Sequence, residues 1–272
     1  MFLQTVANFF ILGLILITLE RFFFARKQPI FREGWITDVV HLFVGNLIGK
    51  ASLFLMTAAL TEKFLGSLIN FSWQSQVAAQ PIGWQLVEIL LVAELGYYTA
   101  HRLVHEVPWL WKFHAVHHSA KNVDWLATVR VHPCEQILTR IFQFSPVLIL
   151  GFSEKVLGIF LIFSAFEAFF IHTNLKIRLP GLRWIIATPE LHRWHHHKNP
   201  KFRNKNYAAQ LPIIDWIFGT LYMPGNRLPT NYGVPEKIPI NYLGQLMYPF
   251  RRQVASLQFK IQNSKFKIKD NW

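Results

Sequence analysis

Three groups of histidines in this chain of 272 residues have spacings suited to metal binding. They read His-x-x-x-His at 101–105 and His-x-x-His-His at 114–118 and at 192–196. Because helical residues three or four positions apart share one face, each group can direct its imidazoles at one point. Neutral imidazole is a good ligand for zinc, iron, copper and nickel. The spacing therefore predicts a polynuclear metal centre.

Nine histidines are predicted ligands, which is enough for two metal ions with four or five ligands each. They are His101, His105, His114, His117, His118, His172, His192, His195 and His196. His172 joins the three groups because it directly follows an apolar segment. The other histidines are predicted to lie outside this set: His132 as a supporting residue, His197 on a different side of the helix, and His41 as a structural residue.

A dinuclear site of this kind could serve hydrolysis or oxidation. Hydrolytic dinuclear sites usually include bridging carboxylates, and no carboxylate is interleaved in the histidine groups. Glu106 is the nearest acidic residue and the candidate catalytic carboxylate, while Glu135, Glu167 and Glu190 could support the site. An all-imidazole pair suits iron that activates dioxygen, although the spacing alone does not distinguish iron from zinc.

The composition of the chain is that of a membrane protein. Its mean hydropathy is +0.24 and 16% of its residues are charged, where soluble domains have about 25%. The single cysteine, Cys134, excludes an internal disulfide framework and a cysteine-ligated metal site. The net charge of +13 accompanies no recognisable nucleic-acid-binding motif. We therefore expect the basic residues to face an anionic lipid surface and expect no nucleic-acid partner.

Apolar runs predict an all-α, polytopic, integral membrane fold with about three full crossings. The crossings are predicted at 5–24, 38–60 and 84–100, and a hairpin that crosses fully or re-enters is predicted at 141–150 and 156–170. Basic residues follow the first run but are scarce in the loop at 61–83, which predicts that the histidines lie in a cytoplasmic cap of short helices. The expected parts are an N-terminal membrane hairpin (1–80), a catalytic domain (81–225) and a basic C-terminal tail (226–272).

The third apolar run is predicted to deliver the first histidine pair. Glu94, Tyr98, His101 and His105 fall on one helical stripe. Two roles for Glu94 remain open at this point: it orients a histidine, or it bonds a neighbouring helix.

The histidine groups and their surroundings resemble the fatty acid hydroxylase/sterol desaturase superfamily of integral-membrane oxygenases. The resemblance extends over about residues 94–223. It rests on HRLVHEVPWLWKFHAVHHS at 101–119, TVRVHP with Glu135, HTN at 172–174, LHRWHH at 191–196, NY at 206–207 and DWIFGT at 215–220.

This resemblance implies a non-haem di-iron monooxygenase in which the nine histidines bind two iron ions. Members use O2 and external electrons to hydroxylate or desaturate sterols, fatty acyl chains, carotenoids or ether lipids, and we favour hydroxylation. Glu106 follows the first group as in the ether-lipid-cleaving members. The sequence has no glycine-rich dinucleotide motif, so we expect a separate electron donor, a reductase with a cytochrome or ferredoxin. The alternatives are a membrane metal transporter or metal-binding protein, and a membrane zinc hydrolase.

Overall fold

The structure is a computed structural model that describes residues 2–59, 71–225 and 227–251. Its helices are α1 (Phe2–Phe22), α2 (Trp35–Ala59), α3 (Phe71–Ala79), α4 (Ile82–Glu106), α5 (Pro108–His118), α6 (Pro133–Leu150), α7 (Glu154–His172), α8 (Pro189–His195), α9 (Pro200–Arg203), α10 (Pro212–Ile217) and α11 (Tyr242–Met247). Two short 3₁₀ helices lie at Trp125–Val129 and Tyr248–Phe250. Only isolated β-bridges accompany them among the described residues, so the predicted all-α class is confirmed.

Helix α4 is the central element and packs on α5, α6 and α7. Gly96 permits the closest approach, because a Cβ at this position would overlap the carbonyl oxygen of Phe142 in α6. Nearer its start, Ile89 and Ala93 join the main apolar cluster with residues of α6 and α7. Towards its end the same helix carries the predicted stripe, whose four members are all buried. Helix α4 therefore anchors the fold with one half and delivers two histidines with the other.

Two segments of the described helices are long and apolar enough to cross a bilayer, Trp35–Leu55 of α2 and Glu154–His172 of α7. Only 24% and 28% of the respective apolar windows are buried inside the protein. Leu47 and Ile162, for example, are 71% and 75% exposed. A core helix of a soluble protein would bury most of such a surface, so these apolar bands fit contact with lipid.

The predicted crossings agree with the observed helices only in part. Helix α1 covers most of the first run, and α6 and α7 form the two arms of the predicted hairpin around Gly151, whose φ of 76° is left-handed. Helix α6 begins at Pro133 instead of 141 because its first turns bury polar side chains such as Glu135, which an apolar run does not reveal. The loop predicted at 61–83 contains α3, and residues 60–70 lie outside the described part of the chain. The number of crossings stays a prediction.

A buried chain of ion pairs joins α2 to the segment that follows α5. Asp38 in α2 accepts from Arg130 Nε at 2.5 Å and from Arg32 Nη2 at 2.7 Å. Arg32 Nε also donates to Asp124 at 2.6 Å. All four side chains are buried, and buried charges of this kind need mutual partners. This network fixes α2 against the histidine-bearing part of the chain.

Residues 227–251 pack onto the same body. His41 of α2 donates from Nε2 to Gln245 Oε1 of α11 at 2.8 Å, and Tyr248 packs with Trp111 and Ala115 of α5. The start of the predicted tail is thus in contact with α2 and α5. The remainder of that tail, from residue 252, lies outside the described residues.

Candidate metal centre

Five of the predicted ligands converge in what we call the five-histidine cluster. It consists of His101, His105, His114, His118 and His195, and one ligand atom of each lies within 4.8 Å of those of the others. The last turns of α4 supply the first two residues, α5 supplies the next two, and α8 ends with the fifth. All five side chains are buried.

The other four predicted ligands form the four-histidine cluster, which meets the same distance criterion. It consists of His117 from α5, His172 from the end of α7, and His192 and His196 from α8 and its C-cap. The two clusters are adjacent, since the rings of His118 and His196 stack with centroids 4.5 Å apart. The structure therefore brings all nine predicted residues together as a group of five beside a group of four.

The repeated His-x-x-His-His spacing explains how two helices serve both clusters. In α5, His114 and His118 are one turn apart and point into the five-histidine cluster, while His117 points into the other. In the 192–196 group the assignment is reversed. The i and i+4 residues enter the four-histidine cluster, and His195 enters the five-histidine cluster.

Hydrogen bonds at Nδ1 fix the protonation of several imidazoles. His101 Nδ1 donates to the Tyr207 carbonyl oxygen at 2.6 Å, and His114 Nδ1 donates to the Glu135 carboxylate at 2.5 Å. Because these oxygens accept hydrogen bonds, the neutral form of each imidazole carries its proton on Nδ1 and a free lone pair on Nε2. These Nε2 atoms nevertheless face each other at 3.1 Å. Two facing lone pairs repel each other, and a cation bound between the two Nε2 atoms would remove this repulsion by accepting both lone pairs.

The four-histidine cluster contains the same arrangement. His117 Nδ1 donates to the carbonyl oxygen of Arg130 at 3.2 Å, and His172 Nδ1 donates to that of Ala168 at 2.8 Å. Their Nε2 atoms, which these bonds leave unprotonated, lie 3.1 Å apart. Both clusters therefore present converging lone pairs that fit a bound cation.

The nitrogen–nitrogen separations also fit metal ligands. At a metal–nitrogen distance of about 2.1 Å, two ligands at right angles are about 3.0 Å apart. The Nε2 of His118 lies 3.0 Å from that of His114 and 3.1 Å from that of His195. The Nε2 of His192 lies 2.9 Å from that of His172 and 3.0 Å from that of His196. An all-imidazole donor set of this kind suits iron, zinc, copper or nickel.

Burial keeps these imidazoles in the form that binds metal. Loss of hydration, with repulsion from the neighbouring imidazoles, lowers the pKa values of several of them well below the ordinary value. They include His117, His118, His192, His195 and His196. The rings are therefore neutral near pH 7, and no proton competes with the metal for their lone pairs.

The segment 205–207 holds one histidine from each of two helices. The carbonyl oxygen of Lys205 accepts from His195 Nδ1 at 2.8 Å, and that of Tyr207 accepts from His101. Between them Asn206 has a φ of 56°, a left-handed conformation that asparagine tolerates. Its side-chain amide donates to the carbonyl oxygens of Leu191 and Tyr222. The turn is thus locked in the orientation that aims both carbonyl groups at the ligands.

Glu94 bonds the backbone of the loop that precedes α10 and does not bond a histidine. Its Oε1 accepts from the amides of Ala209 and Gln210 at 2.6 and 3.1 Å. Neither role left open by the sequence is observed, because Glu94 bonds the backbone of a loop and not a histidine or a neighbouring helix. It fixes the connection between the histidine-holding turn and α10.

A cavity of about 490 Å³ reaches both clusters. His101, His114, His117 and His172 are among its lining residues. Its walls come from α2, α6 and α7 and include the apolar side chains of Leu42, Leu53, Phe144, Leu161 and Phe169. The cavity therefore connects the candidate metal centre with the two helices whose composition suits a bilayer.

Glu106 lies outside both clusters. Its side chain is 51% exposed and accepts from Arg102 Nε at 2.7 Å in a pair of residues four apart on α4. Of the other acidic residues considered, Glu135 bonds His114, Glu167 is buried on α7, and Glu190 lies 3.6 Å from Arg178. The catalytic role of Glu106 stays a prediction, and Glu135 is the carboxylate that contacts a predicted ligand.

His41, His132 and His197 lie outside both clusters, and His132 bonds no clustered histidine, so the structure does not show the supporting role predicted for it. His132 accepts from the Cys134 amide as the N-cap of α6 and donates to the Leu246 carbonyl oxygen, so it contacts helix ends and not a ligand. His197 stacks on Trp194, and His41 bonds α11.

Several supporting groups carry no signal in the sequence. The carbonyl oxygens of Arg130, Ala168, Lys205 and Tyr207 hold ligand rings, but any residue type supplies a carbonyl group. Asn204 Oδ1, 3.3 Å from His105 Nδ1, was also missed. Its place two residues before the NY pair could have suggested it.

Comparisons with known proteins relate this chain to hydroxylases and monooxygenases. A family described as fatty acid hydroxylase matches residues 86–220, which include all nine clustered histidines. An ornithine lipid hydroxylase of Rhizobium tropici is 38% identical over 176 residues, 64% of this chain and 52% of the relative. Alkylglycerol monooxygenase of Homo sapiens is 30% identical over 252 residues, 89% of this chain and 54% of the relative.

A more distant relative is a very-long-chain aldehyde decarbonylase of Oryza sativa subsp. indica, 28% identical over 139 residues. That match covers 47% of this chain and 21% of the relative. The chain spans about half the length of the hydroxylase and the monooxygenase that it matches. No solved structure matches it significantly.

Proposed function

We propose that this chain is a membrane-bound oxidoreductase that uses O2 to hydroxylate a lipid C–H bond. The proposal starts from its membership of the fatty acid hydroxylase/sterol desaturase superfamily. In this proposal each histidine cluster binds one iron ion. The observation that carries the proposal is the pair of adjacent clusters with facing imidazole nitrogens, four of whose histidines line a cavity.

The reaction consumes one lipid C–H bond, one O2, two electrons and two protons, and yields an alcohol and water. The chemistry that a pair of histidine-held irons supplies is reductive activation of dioxygen. The protein contributes by holding nine imidazoles and by fixing six of them through hydrogen bonds at Nδ1. Burial of the clusters excludes water from the reacting atoms.

The cavity supports a lipid as the substrate. It lies between α2, α6 and α7, and α2 and α7 contain the segments suited to a bilayer. An aliphatic chain can therefore approach the clusters from the lipid phase. The names of the hydroxylase and monooxygenase relatives favour hydroxylation over desaturation as the outcome.

The proposal places the histidine-rich cap on the cytoplasmic side of a multi-pass protein, where a separate reductase with a cytochrome or ferredoxin supplies electrons. Reporter fusions after residue 70 and after residue 200 test the topology, and we expect them on opposite sides of the membrane. If both report the same side, the topology is wrong. Turnover by the purified protein with iron and NADPH alone would overturn the need for a separate donor.

The function itself is tested by metal analysis combined with oxygen consumption and lipidomics. We expect two irons per chain, O2 uptake that depends on an added electron donor, and a hydroxylated lipid that disappears in cells lacking the protein. His195→Ala should abolish the product. Bound zinc without O2 uptake would point instead to a hydrolase or a metal-binding protein and would overturn the proposal.

A further inference from the structure

Two cationic side chains line the same cavity as the clusters. Lys50 of α2 and Arg140 of α6 contribute to its wall, on the part of the two helices that follows His41 and Glu135. Glu135 is the one carboxylate among the lining residues, and it is bonded to His114. Within the described part of the chain, no acidic side chain forms an ion pair with Lys50 or Arg140.

Arg140 is held in the seam between α2 and α6. A Cβ on Gly49 would lie 2.8 Å from Arg140 Nη2 and 3.3 Å from its Nε, so the absence of a side chain at Gly49 makes room for the guanidinium group. Arg140 Nε is buried and has no hydrogen-bond partner among the described residues. Gln136, Thr139 and Gln143 on the same helix line the cavity beside it. The wall of α6 is therefore polar where the predicted hairpin begins.

Arg140 is half-buried and Lys50 is exposed, so Arg140, whose Nε is shielded from water, is the cation that gains most from a compensating charge. Charged residues within membrane segments pair with one another or mark the path of a ligand. The described residues offer these two cations no counter-charge. A ligand that enters the cavity can supply it, and a guanidinium group binds a carboxylate or phosphate through two parallel hydrogen bonds.

We propose that the cavity binds an amphiphile with an anionic group, a carboxylate or a phosphate, which pairs with Arg140 and is assisted by Lys50. The aliphatic part of the ligand extends from this group towards His114 and His117. Arg140 lies five residues beyond Glu135 on α6, which corresponds to about 7.5 Å along the helix. This inference rests on the proposed function and specifies its substrate as an anionic lipid in preference to a neutral ether or sterol, which would leave the guanidinium group unpaired.

Binding of matched probes tests the inference without turnover. The metal-loaded protein in a neutral detergent is titrated with hexadecanoate, hexadecyl phosphate and methyl hexadecanoate, and bound probe is counted by native mass spectrometry. We expect at least one anion to bind about tenfold more tightly than the ester, which corresponds to about 1.4 kcal/mol. The better anion identifies the carboxylate or the phosphate as the natural group.

Variants test whether the preference for an anion over the ester arises in the cavity. Arg140→Gln should remove it while leaving ester binding unchanged, and Lys50→Gln should reduce it. Arg21→Gln, which changes an exposed arginine outside the cavity, should retain it. If Arg140→Gln does not fold, Gly49→Ala offers a second test, because the added methyl group displaces the guanidinium group.

Equal binding of the ester and both anions, or an anion preference that survives Arg140→Gln and Gly49→Ala, would overturn the inference. Iron content and O2 uptake are measured on the same samples. An anion preference in a protein that lacks iron and forms no oxygenated product would leave the anion site standing and would overturn the proposed oxygenase function instead.

Discussion

The two histidine clusters differ in how firmly the protein holds them. In the five-histidine cluster, four rings have an Nδ1 partner, and His118 Nδ1 is the exception. In the four-histidine cluster only two rings have one, because Nδ1 of His192 and Nδ1 of His196 have no partner among the described residues. Such partners fix the tautomer and the orientation of a ligand. The five-histidine cluster is therefore the better preorganised of the two, and it also has one more histidine.

This difference leads us to expect unequal metal affinities. We expect the five-histidine cluster to be ordered before it binds metal, whereas the four-histidine cluster needs the metal to orient His192 and His196. Both clusters share α5 and α8, and the rings of His118 and His196 are in contact. Despite this contact, the unequal number of Nδ1 partners leads us to expect that chelation empties the four-histidine cluster first and leaves iron in the five-histidine cluster.

Removal of one ligand from each cluster should give the largest effect. We expect His195→Ala and His192→Ala to lower activity by more than about 100-fold, since loss of a supporting partner alone costs about 10–100-fold. Iron content should distinguish the two variants. His195→Ala leaves four ligands and should retain part of its iron, whereas His192→Ala leaves three in the less ordered cluster and should lose that iron. Equal iron content in the two variants would contradict the difference in preorganisation.

Asp38→Asn should give the next largest effect. Asp38 is completely buried between Arg32 and Arg130, and the carbonyl group of Arg130 holds His117. Removal of one partner from a buried ion pair costs about 3–5 kcal/mol, so we expect a markedly lower melting temperature and iron loss confined to the four-histidine cluster. Glu33→Gln breaks an exposed pair with Lys121 and should change stability by less than about 1 kcal/mol. A similar effect of both substitutions would show that the buried network does not support the cluster.

The sequence was sufficient to predict which histidines converge, because metal binding imposes a spacing. Groups such as 114–118 select residues three and four apart, and the structure places all nine predicted histidines in the two clusters. The division between clusters did not follow from the spacing alone. It depends on how α8 is rotated relative to α5, which is determined by contacts with segments far away in the chain, such as 205–207.

The fold was predictable where one surface is uniformly apolar and less so where polar residues are buried. The course of α4 followed from its pattern. The first turns of α6 did not, because Glu135, Gln136 and Arg140 line a cavity inside the protein and give no apolar run. The contact of Asp38 with Arg130 was also missed, since a pair of residues 92 positions apart leaves no local pattern.

Glu135→Gln should act on the five-histidine cluster alone. The amide can still accept from His114 Nδ1, but it lacks the charge that raises the basicity of the ring, and we expect iron affinity to fall by about 10–100-fold at that cluster. Iron in the four-histidine cluster should be unchanged, as measured by stepwise chelation. If both clusters lose iron in parallel, they behave as one binding unit and their difference in preorganisation has no consequence for affinity.

Glu106→Gln should have the smallest effect and compares two carboxylates near the same cluster. Glu106 adjoins the ligand His105 in sequence, but it is exposed and paired with Arg102 on the surface of α4, whereas Glu135 is buried and bonded to a ligand. Because exposed ion pairs contribute about 0–1 kcal/mol, we expect activity within about fivefold of the wild type. A loss as large as that of Glu135→Gln, with iron content and melting temperature intact, would instead support the catalytic role predicted from the sequence. It would mean that Glu106 acts on the substrate or on a proton, because a carboxylate that only supports the metal would lower iron content as Glu135→Gln does.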